Sequence, residues 1–359
     1  MTLIRRKRVD FSVIVPTYNR ASYLRLAIVS VLQQKGVTFE IIISDDHSPD
    51  NTDDIIKSFK DSRIRYMKNR IRLGTSLNFR QCFLACKGNY IFTLGDDDFL
   101  LDKDTLLTVL NVMEKYKTGM GKIGAVGYEK TPDEPYQTLI LSDKVILLNP
   151  QTTDNILTKS IGFGLGYFSG LIFNRTYLDK RKLTVDHKCY TDHMCLIYHT
   201  AAYDLIKNHG IAYIPSLVVG HLSLELIARY FDMKWHGRLF MEEPIDLVKK
   251  FLKGLEFEDY KKAYLRSQVA VLPNIKYFSS MRNYVLVLKR MVCLDRSLIW
   301  DYRFIFWAFM GLLPNLFIKI ARDVKIYVSR SGVRETLQKY EYFKKVGELT
   351  NSLENYANI

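Results

Sequence analysis

Two hydrophobic patterns alternate over the first hundred residues of the chain. Four short runs rich in β-branched and aromatic residues predict strands at about 11–15, 39–44, 64–67 and 90–94. The longer amphipathic stretches between them predict helices over about 22–34, after residues 50–52, and over about 76–86. All of these strands except the third are almost continuously apolar, which is typical of strands covered on both faces. The pattern predicts βαβ units and an α/β fold with a mostly parallel sheet flanked by helices.

Polar residues follow the predicted strands at the points where the strands end. In an open α/β sheet the carboxyl ends of the strands border the ligand crevice, so these clusters are expected to meet there. The sequence has no GxxxxGK[ST] loop and no GxGxxG loop after the first strand, so a nucleotide's phosphates must be held in another way. The candidate residues are Pro16, Thr17, Tyr18 and Asn19 after the first strand, Asp45 and Asp46 after the second, and Asp96, Asp97 and Asp98 after the fourth.

The three consecutive carboxylates at 96–98 indicate a cation. Like charges at this spacing repel one another and weaken the fold unless a cation or another positive partner lies beside them. Hard divalent ions such as Mg²⁺ and Mn²⁺ prefer carboxylate oxygens and bridge to substrate phosphates. The cluster therefore predicts a divalent metal at a phosphate site. The alternative is a solvated acidic turn that caps the next helix.

Three blocks of the sequence resemble a known enzyme family. FSVIVPTYNRASYLRLAIVSVL, FEIIISDDHSPDNT and GNYIFTLGDDDFL occur in the order and spacing of the nucleotide-binding half of family 2 glycosyltransferases, which have a GT-A fold. The resemblance is best over residues 10–110 and extends more weakly to about residue 225. It implies that a nucleotide sugar binds at residues 16–19, 45–46 and 96–97, with Asp46 pairing with the base. It also implies that Asn78 contacts the nucleoside; the alternative for Asn78 is an ordinary amide on a helix surface.

The resemblance also implies a reaction and a cofactor. Asp96 and Asp98 hold Mn²⁺ or Mg²⁺ on the sugar diphosphate, and one sugar passes with inversion from a UDP-sugar to a saccharide or lipid-linked saccharide acceptor. Cell-surface polysaccharide synthesis is the expected process. The absence of a QxxRW motif and of a multi-helix membrane channel argues against a processive polymer synthase. A catalytically silent scaffold that binds nucleotide sugars at the membrane is the alternative function.

One residue departs from the family pattern. His47 occupies the place of the usual small residue after the paired aspartates, and we interpret it as a residue with a left-handed backbone. Direct contact between His47 and the ligand is the alternative.

The catalytic base is expected in the segment CYTDHMCLIYH. Thr191 can cap a helix there, with Asp192 in its first turn, and the helix dipole alone would explain an acid at that position. The resemblance implies that Asp192 is the general base, with Asp186 in reserve. His221 resembles a residue that related enzymes place near the diphosphate, which makes it a third metal-ligand candidate; a structural role is the alternative.

The organisation of the chain follows from these assignments. A catalytic domain is predicted over residues 1–230, with a nucleotide-binding half at about 10–110 and an acceptor half at about 111–230. Residues 231–359 are predicted to be helical, basic and associated with a membrane. Within them, Phe304 to Pro314 is an apolar run that is too short to span a bilayer. It is predicted to lie among lipid headgroups, and the alternative is a buried core helix.

The composition of the chain limits its possible binding partners and its location in the cell. The 359 residues carry a net charge of +14, which calls for an anionic partner. Nucleic acid is not expected, because the aromatic residues are not interleaved with lysine and arginine. The five cysteines form no CxxC pair and are expected to be reduced. The basic start resembles a signal peptide, but the apolar run ends at Pro16, so secretion is not expected. A cytoplasmic enzyme, peripheral on the inner face of the cell membrane, is therefore predicted.

Overall fold

Strands and helices alternate along the N-terminal part of the chain, as the hydrophobic pattern predicts. The computed structural model describes residues 9–128, 135–139, 142–178, 196–221, 243–269, 272, 275–276, 280–339 and 341–357. Its first elements are β1 (Phe11–Thr17), α1 (Ala21–Leu32), β2 (Phe39–Asp45), α2 (Thr52–Ser58), β3 (Ile64–Lys68), α3 (Thr75–Ala85) and β4 (Tyr90–Thr93). The four predicted strands and three predicted helices are confirmed, with ends displaced by only a few residues.

The remaining elements complete the sheet and add the C-terminal helices. The middle of the chain contains β5 (Asp98–Leu100), α4 (Thr105–Tyr116), β6 (Met120–Tyr128), β7 (Pro135–Leu139), β8 (Ile146–Leu148), α5 (Ile156–Ser160), β9 (Leu171–Asn174), α6 (Leu196–His209) and β10 (Ile211–His221). They are followed by α7 (Glu243–Val248), α8 (Gly254–Gln268), α9 (Met281–Leu294), α10 (Tyr302–Met310), α11 (Asn315–Gln338) and α12 (Tyr342–Ala357). The prediction of a helical C-terminal region is confirmed.

One mixed sheet organises the N-terminal and middle parts. Its strand order is β3-β2-β1-β4-β9-β6-β10-β5, with β7 beside β6 and β8 beside β10. The strands β3, β2, β1 and β4 are all parallel, and β6 is parallel to β10. The strands β9 and β5 pair antiparallel with their neighbours. The half of the sheet that carries the predicted nucleotide site is therefore the parallel half.

Helices cover both faces of this sheet. Because side chains alternate along a strand, Val13 and Val15 pack with α1 and α4, whereas Ile14 and its neighbour Ile42 pack with α3 and α6. Burial on both sides accounts for the almost continuous apolar runs of β1, β2 and β4. The carboxyl ends of these strands are left to form a crevice at one edge.

The C-terminal helices form two further clusters. One joins α8, α9 and α10 through buried residues that include Leu265, Tyr284, Met291 and Phe304. The other joins α11 and α12 to β5 and β6, and Lys345 of α12 pairs with Asp102 at 2.6 Å. The last two helices therefore cover the strand that begins at Asp98. The predicted domain boundary at residues 230 and 231 lies outside the described residues.

The apolar run from Phe304 to Pro314 is not a single helical segment. The helix α10 ends at Met310, and Pro314 is the capping residue before α11, as expected for a residue that cannot continue a helix. Phe304 is buried against α9, so the run is not exposed on all sides. None of the helices in the described residues combines the length and apolar character needed to cross a membrane.

Candidate functional site

The strand ends predicted to form the nucleotide site are brought together. The backbone N–H of Asp46, after β2, donates to the carbonyl of Thr17 in β1 at 2.9 Å. The backbone N–H of Asn19 donates to Ser48 Oγ at 2.9 Å. Arg20 reaches the aspartates that follow β4, with its Nη1 3.3 Å from Asp96 Oδ1. The segments 16–20, 45–48 and 96–98 thus line one crevice.

Asp45, at the end of β2, is held by neighbouring protein groups. It is fully buried, and its carboxylate accepts hydrogen bonds from the backbone N–H of Ser48 and the hydroxyl of Tyr66, each at 2.8 Å. These bonds hold the turn after β2. His47 within that turn has φ of 64°, which confirms its left-handed backbone. Asp45 also lies 3.9 Å from Lys68 Nζ, and its contact with a nucleotide stays a prediction.

Asp46 holds a neighbouring loop in place. Its carboxylate accepts hydrogen bonds from the backbone N–H groups of Leu73 at 2.7 Å and Gly74 at 2.8 Å, and from Asn69 Nδ2 at 3.1 Å. The loop 69–74 therefore depends on Asp46, whether or not the same carboxylate also meets a base.

Asn78 is neither exposed nor on a helix surface. Its Oδ1 accepts from Ser44 Oγ at 2.6 Å and from Asn69 Nδ2 at 2.9 Å, and its Nδ2 donates to the Ser44 carbonyl at 2.8 Å. The side chain is buried and joins β2 to α3. The alternative of an ordinary amide on a helix surface is therefore wrong. Contact between Asn78 and a nucleoside stays a prediction.

Replacing Asp46 with alanine is expected to lower both nucleotide affinity and thermal stability. The change leaves the two N–H groups of Leu73 and Gly74 without their acceptor, and because both residues are half-buried each loss is expected to cost less than the about 1–3 kcal/mol of a fully buried donor. Calorimetric titration with nucleotide and thermal unfolding measure the two effects. Asp46→Asn retains one acceptor oxygen and is expected to lose less. An Asp46→Ala variant with unchanged affinity for every nucleotide tested would contradict the assignment.

Arg20 supplies the positive partner that the adjacent carboxylates require. Its Nη1 contacts both Asp96 Oδ1 and Asp97 Oδ2. Burial, followed by the charge of Asp97, raises the pKa of Asp96 well above its usual range, and Arg20 partly opposes this. The prediction of a solvated acidic turn is thus not supported, since Asp96 and Asp98 are buried. Sequence reasoning did not identify Arg20, although the repulsion within the cluster called for such a residue.

Asp98 has different partners from Asp96. It is the first residue of β5, and the hydroxyl of Ser169 donates to its Oδ2. Burial and then the charge of Asp97 raise the pKa of Asp98, while hydrogen bonds from Ser169 and Tyr167 lower it. The cluster 96–98 is therefore divided between a side held by Arg20 and a side held by the segment before β9.

A buried lysine anchors that second side. Lys122 of β6 has no exposed surface, and its Nζ donates to the carbonyl oxygens of Tyr167 at 3.0 Å and Ser169 at 2.6 Å. Burial lowers the pKa of Lys122 to about 7, and the charge of Asp98 opposes this. Sequence reasoning missed Lys122, Tyr167 and Ser169. The available signal was a lysine within the apolar run MGKIGAVGY of β6.

The outer wall of the crevice combines an aromatic ring with a cation. Tyr18 is partly exposed, and the guanidinium of Arg72 lies 4.1 Å from the centre of its ring. Pro16 is also partly exposed, whereas Thr17 is buried and its hydroxyl lies beside Asp96, where its hydrogen bond lowers the pKa of that carboxyl.

Three of the predicted site residues have no described side chain. Asp192 and its alternative Asp186 lie outside the described residues. The same holds for the side chain of His221, whose backbone ends β10 and pairs with Tyr128 of β6. A helix is predicted here with Asp192 in its first turn; the described residues contain α6 from Leu196 onward, and its start at Thr191 stays a prediction.

The carboxylate cluster fits a divalent cation that binds together with a diphosphate. Gly95 lets the aspartates pack closely against the backbone, because a Cβ there would lie only 2.8 Å from Asp98 Oδ2 and 3.1 Å from Asp97 Oδ1. Among the described residues, no three histidine, cysteine or acidic side chains are grouped so that they could hold a metal by themselves. Mg²⁺ is commonly bound by one or two carboxylates plus substrate phosphates, so the donor set is sufficient when phosphate oxygens complete it.

A protein-family model matches the part of the chain that forms this crevice. The model of glycosyl transferase family 2 matches residues 12–181, from β1 through β9. These residues are a family 2 glycosyltransferase domain. The family resemblance predicted from the three sequence blocks is confirmed.

Curated relatives of the family 2 domain are bacterial enzymes. The GalNAc(5)-diNAcBac-PP-undecaprenol beta-1,3-glucosyltransferase of Campylobacter jejuni is 39% identical over 93 residues, which are 25% of this chain and 30% of the relative. The UDP-Glc:alpha-D-GlcNAc-diphosphoundecaprenol beta-1,3-glucosyltransferase WfaP of Escherichia coli is 42% identical over 89 residues, 24% of this chain and 35% of the relative. The abequosyltransferase RfbV of Salmonella typhimurium is 27% identical over 180 residues, 46% of this chain and 53% of the relative. The chain thus spans between about a third and a half of the length of these relatives.

A solved structure extends the comparison beyond the family 2 domain. The crystal structure of S. aureus TarS 1-349 superposes with a TM-score of 0.53 and 13% sequence identity, and covers 82% of this chain and 91% of that chain. At this identity the similarity concerns the fold alone. The predicted GT-A fold with a helical C-terminal region is confirmed.

Proposed function

We propose that the chain transfers one sugar at a time from a nucleotide-diphosphate sugar to a hydroxyl of a saccharide or lipid-linked saccharide acceptor, with inversion at the anomeric carbon. The observation that carries the proposal is the crevice of the family 2 domain, where Arg20 meets Asp96 and Asp97 beside the ends of β1 and β2. A UDP-sugar is the proposed donor, since UDP-glucose is named for the Escherichia coli relative. Acceptors linked to undecaprenol through diphosphate are named for two relatives, and they support cell-surface polysaccharide synthesis as the process.

In the proposed reaction Asp192 is the general base, with Asp186 as the second candidate. The carboxylate takes the proton of the acceptor hydroxyl while that oxygen attacks the anomeric carbon of the donor. A new carbon–oxygen bond forms as the bond from the anomeric carbon to the diphosphate breaks, and the nucleoside diphosphate leaves with the electron pair. A single displacement inverts the configuration and requires no carboxylate nucleophile.

Different residues are proposed to bind the metal at the diphosphate and to position its ligands. Asp96 and Asp98 are the proposed ligands of Mn²⁺ or Mg²⁺, with His221 as the third candidate, and a bound ion supplies charge stabilisation to the leaving group. Arg20 fixes the orientation of Asp96 and Asp97 and neutralises part of their charge. Ser169 donates to Asp98 from the opposite side, and Lys122 holds the Ser169 carbonyl.

Donor binding is expected to require a divalent ion. A panel of nucleotide sugars, each with Mn²⁺ or with excess EDTA, is tested by thermal unfolding. One donor with Mn²⁺ should raise the melting temperature, because a ligand at about 100 times its Kd stabilises a fold by ~2.7 kcal/mol. An equal shift in EDTA would overturn the metal assignment, and no shift with any nucleotide sugar would overturn the proposed donor class.

A turnover assay separates the enzyme from the alternative of a silent scaffold. Release of nucleoside diphosphate is measured with the stabilising donor, with and without a diphosphate-linked saccharide acceptor. We expect release to depend on the acceptor. Donor binding without release under any of these conditions would favour the scaffold.

We further propose that the enzyme works as a peripheral protein on the inner face of the cell membrane. The net charge of +14 suits an anionic surface. A lipid-linked acceptor would present its saccharide at that surface.

A further inference from the structure

The helices α10 and α11 expose an apolar surface with helical periodicity. In α10 the exposed residues Tyr302, Ile305, Phe306 and Phe309 follow the i, i+3, i+4, i+7 spacing of one helix face. The first half of α11 exposes apolar residues at a similar spacing, and Ile299, Trp300 and Leu312 adjoin the two helices in sequence. We call this set the apolar ridge: Ile299, Trp300, Tyr302, Ile305, Phe306, Phe309, Leu312, Leu316, Phe317, Ile320 and Val324.

The apolar ridge is an additional surface, not a core face left open by chance. Both helices already bury a residue on another side, since Phe304 is 5% exposed and Ile318 is 1% exposed. A helix on the surface of a soluble protein normally presents polar residues to solvent. Exposed apolar patches of this extent mark sites of interaction with proteins or membranes.

The charge around the apolar ridge favours an anionic partner. Residues 281–330 contain nine lysines and arginines but three acidic residues. Two of those acids cap helical segments: Asp295 accepts from the backbone N–H of Ser297 at 2.9 Å, and Asp301 accepts from that of Arg303 at 3.0 Å. Arg296 and Lys319 are exposed beside the ridge. A protein partner would need both an apolar and an acidic face, whereas an anionic bilayer offers both everywhere on its surface.

The aromatic residues of the apolar ridge suit lipid headgroups. Trp300 is 82% exposed and Tyr302 is 78% exposed, and these two residue types are enriched where a membrane meets water. The nine residues of α10 span about 14 Å, so this helix can only lie along a bilayer. Basic residues that flank apolar and aromatic side chains are typical of helices in the membrane plane.

We propose that the apolar ridge docks on the surface of an anionic lipid bilayer, with α10 and the first half of α11 lying in the membrane plane. This inference rests on the proposed function and specifies its membrane partner and the residues that bind it. The apolar ridge replaces the predicted run from Phe304 to Pro314 as the segment that binds the membrane, because Phe304 belongs to the core. The bound residues are those of the ridge, reinforced by Arg296 and Lys319.

The same helix connects the apolar ridge to the carboxylate cluster. The helix α11 is continuous over 24 residues, and its later residues Val333 and Leu337 pack in one buried cluster with Phe99 of β5, next to Asp98. From Ile320 to Val333 the helix rises by roughly 20 Å. Docking of the ridge would therefore set the orientation of the crevice relative to the bilayer.

A vesicle flotation assay tests the proposal. The full chain is mixed with vesicles of phosphatidylglycerol and phosphatidylcholine, or of phosphatidylcholine alone. The fourfold variant Phe309→Ser, Leu312→Ser, Leu316→Ser, Phe317→Ser is expected to lose at least about tenfold in partitioning to the anionic vesicles, since binding scales with buried apolar area. The matched control Leu84→Ser, Leu147→Ser, Leu255→Ser removes exposed apolar residues elsewhere and is expected to float like the parent.

A charge variant keeps the test decisive if the fourfold variant does not fold. Arg296→Gln with Lys319→Gln should lower binding to anionic vesicles about tenfold or more, and high salt should do the same to the parent. Failure of the parent to bind anionic vesicles, or equal binding by parent and charge variant, overturns the proposal. A dimer of the parent that the fourfold variant dissociates, without vesicle binding, would assign the ridge to a second copy instead.

The assay is independent of catalysis. Vesicle binding needs neither donor nor acceptor, and transfer to a soluble acceptor analogue is measured separately. If the fourfold variant loses flotation but retains transfer, the result supports membrane docking by the ridge and leaves the proposed function intact. Absence of transfer in a parent that floats would count against the proposed function alone.

Discussion

Replacing Asp96 with alanine is expected to lower the transfer rate by about 10³-fold and to make the ligand-free protein more stable. The loss of rate follows because a metal site at a leaving diphosphate supplies several kcal/mol of charge stabilisation. The gain in stability follows because Asp96 is a buried carboxyl group beside Asp97, so its ionised form is unfavourable in the fold. Transfer kinetics and thermal unfolding in EDTA measure the two changes.

The stability gain of Asp96→Ala should depend on pH in a defined direction. In the fold the pKa of Asp96 is raised from 3.8 to about 7, chiefly by burial, so between these values the folded state binds a proton that the unfolded chain has released. The parent therefore loses stability from this group as pH rises from about 4 to about 7. The difference in melting temperature between variant and parent should grow over that range and remain constant above it.

A matched variant separates the loss of a site carboxylate from the loss of any carboxylate. Asp104 is exposed near the same strand and makes no capping hydrogen bond. We expect Asp104→Ala to retain the parent's transfer rate and its pH profile of stability. Full transfer by Asp96→Ala in the presence of EDTA would refute the role of this carboxylate in holding a metal.

The parallel half of the fold could be predicted because each of its strands can be recognised from a short stretch of sequence. Strands β1, β2 and β4 are covered on both faces, so each appears in the sequence as an apolar run, and their carboxyl ends carry the polar residues. The crevice could be located from this pattern alone. The antiparallel strands β9 and β5 were harder to foresee, because β5 contains only three residues and pairs with β10, more than a hundred residues away.

The partners inside the crevice could not be predicted, because they depend on distant contacts. Arg20 meets Asp97 across 77 positions of sequence, and Ser169 meets Asp98 across 71. Strand ends identify which residues are near a site but not which atoms they bond. Asp46 and Asn78 illustrate this limit, since both were predicted as ligand contacts and both hold the 69–78 region in place.

The C-terminal helices show a second limit of the hydrophobic pattern. An apolar run indicates burial of some kind, but only the structure separates Phe304 in the core from Phe309 at the surface. Both residues lie in α10, five positions apart. Periodicity within nine residues is too short to assign the inner and outer faces from sequence.

Replacing Asp192 with asparagine is expected to slow transfer by ~10² to 10⁴ while leaving donor affinity unchanged, because this is the range that loss of a general base commonly costs. Asparagine has nearly the same shape as aspartate but cannot accept the proton of the acceptor hydroxyl. The donor is proposed to bind at the crevice formed by residues 16–20, 45–48 and 96–98, so its Kd by calorimetry should stay at the parent's value. Transfer kinetics at saturating donor and acceptor give the rate.

Two further variants decide whether this effect belongs to Asp192. Asp204→Asn alters an acid of α6, where its Oδ1 accepts from Asn208 at 3.1 Å, and it should transfer at the parent rate. Asp186→Asn tests the second candidate for the base. A parent rate in Asp192→Asn together with a fall of ~10² or more in Asp186→Asn would move the base to Asp186. A parent rate in both would place the base elsewhere in the acceptor half, since an attacking hydroxyl must still lose its proton as it forms the new bond.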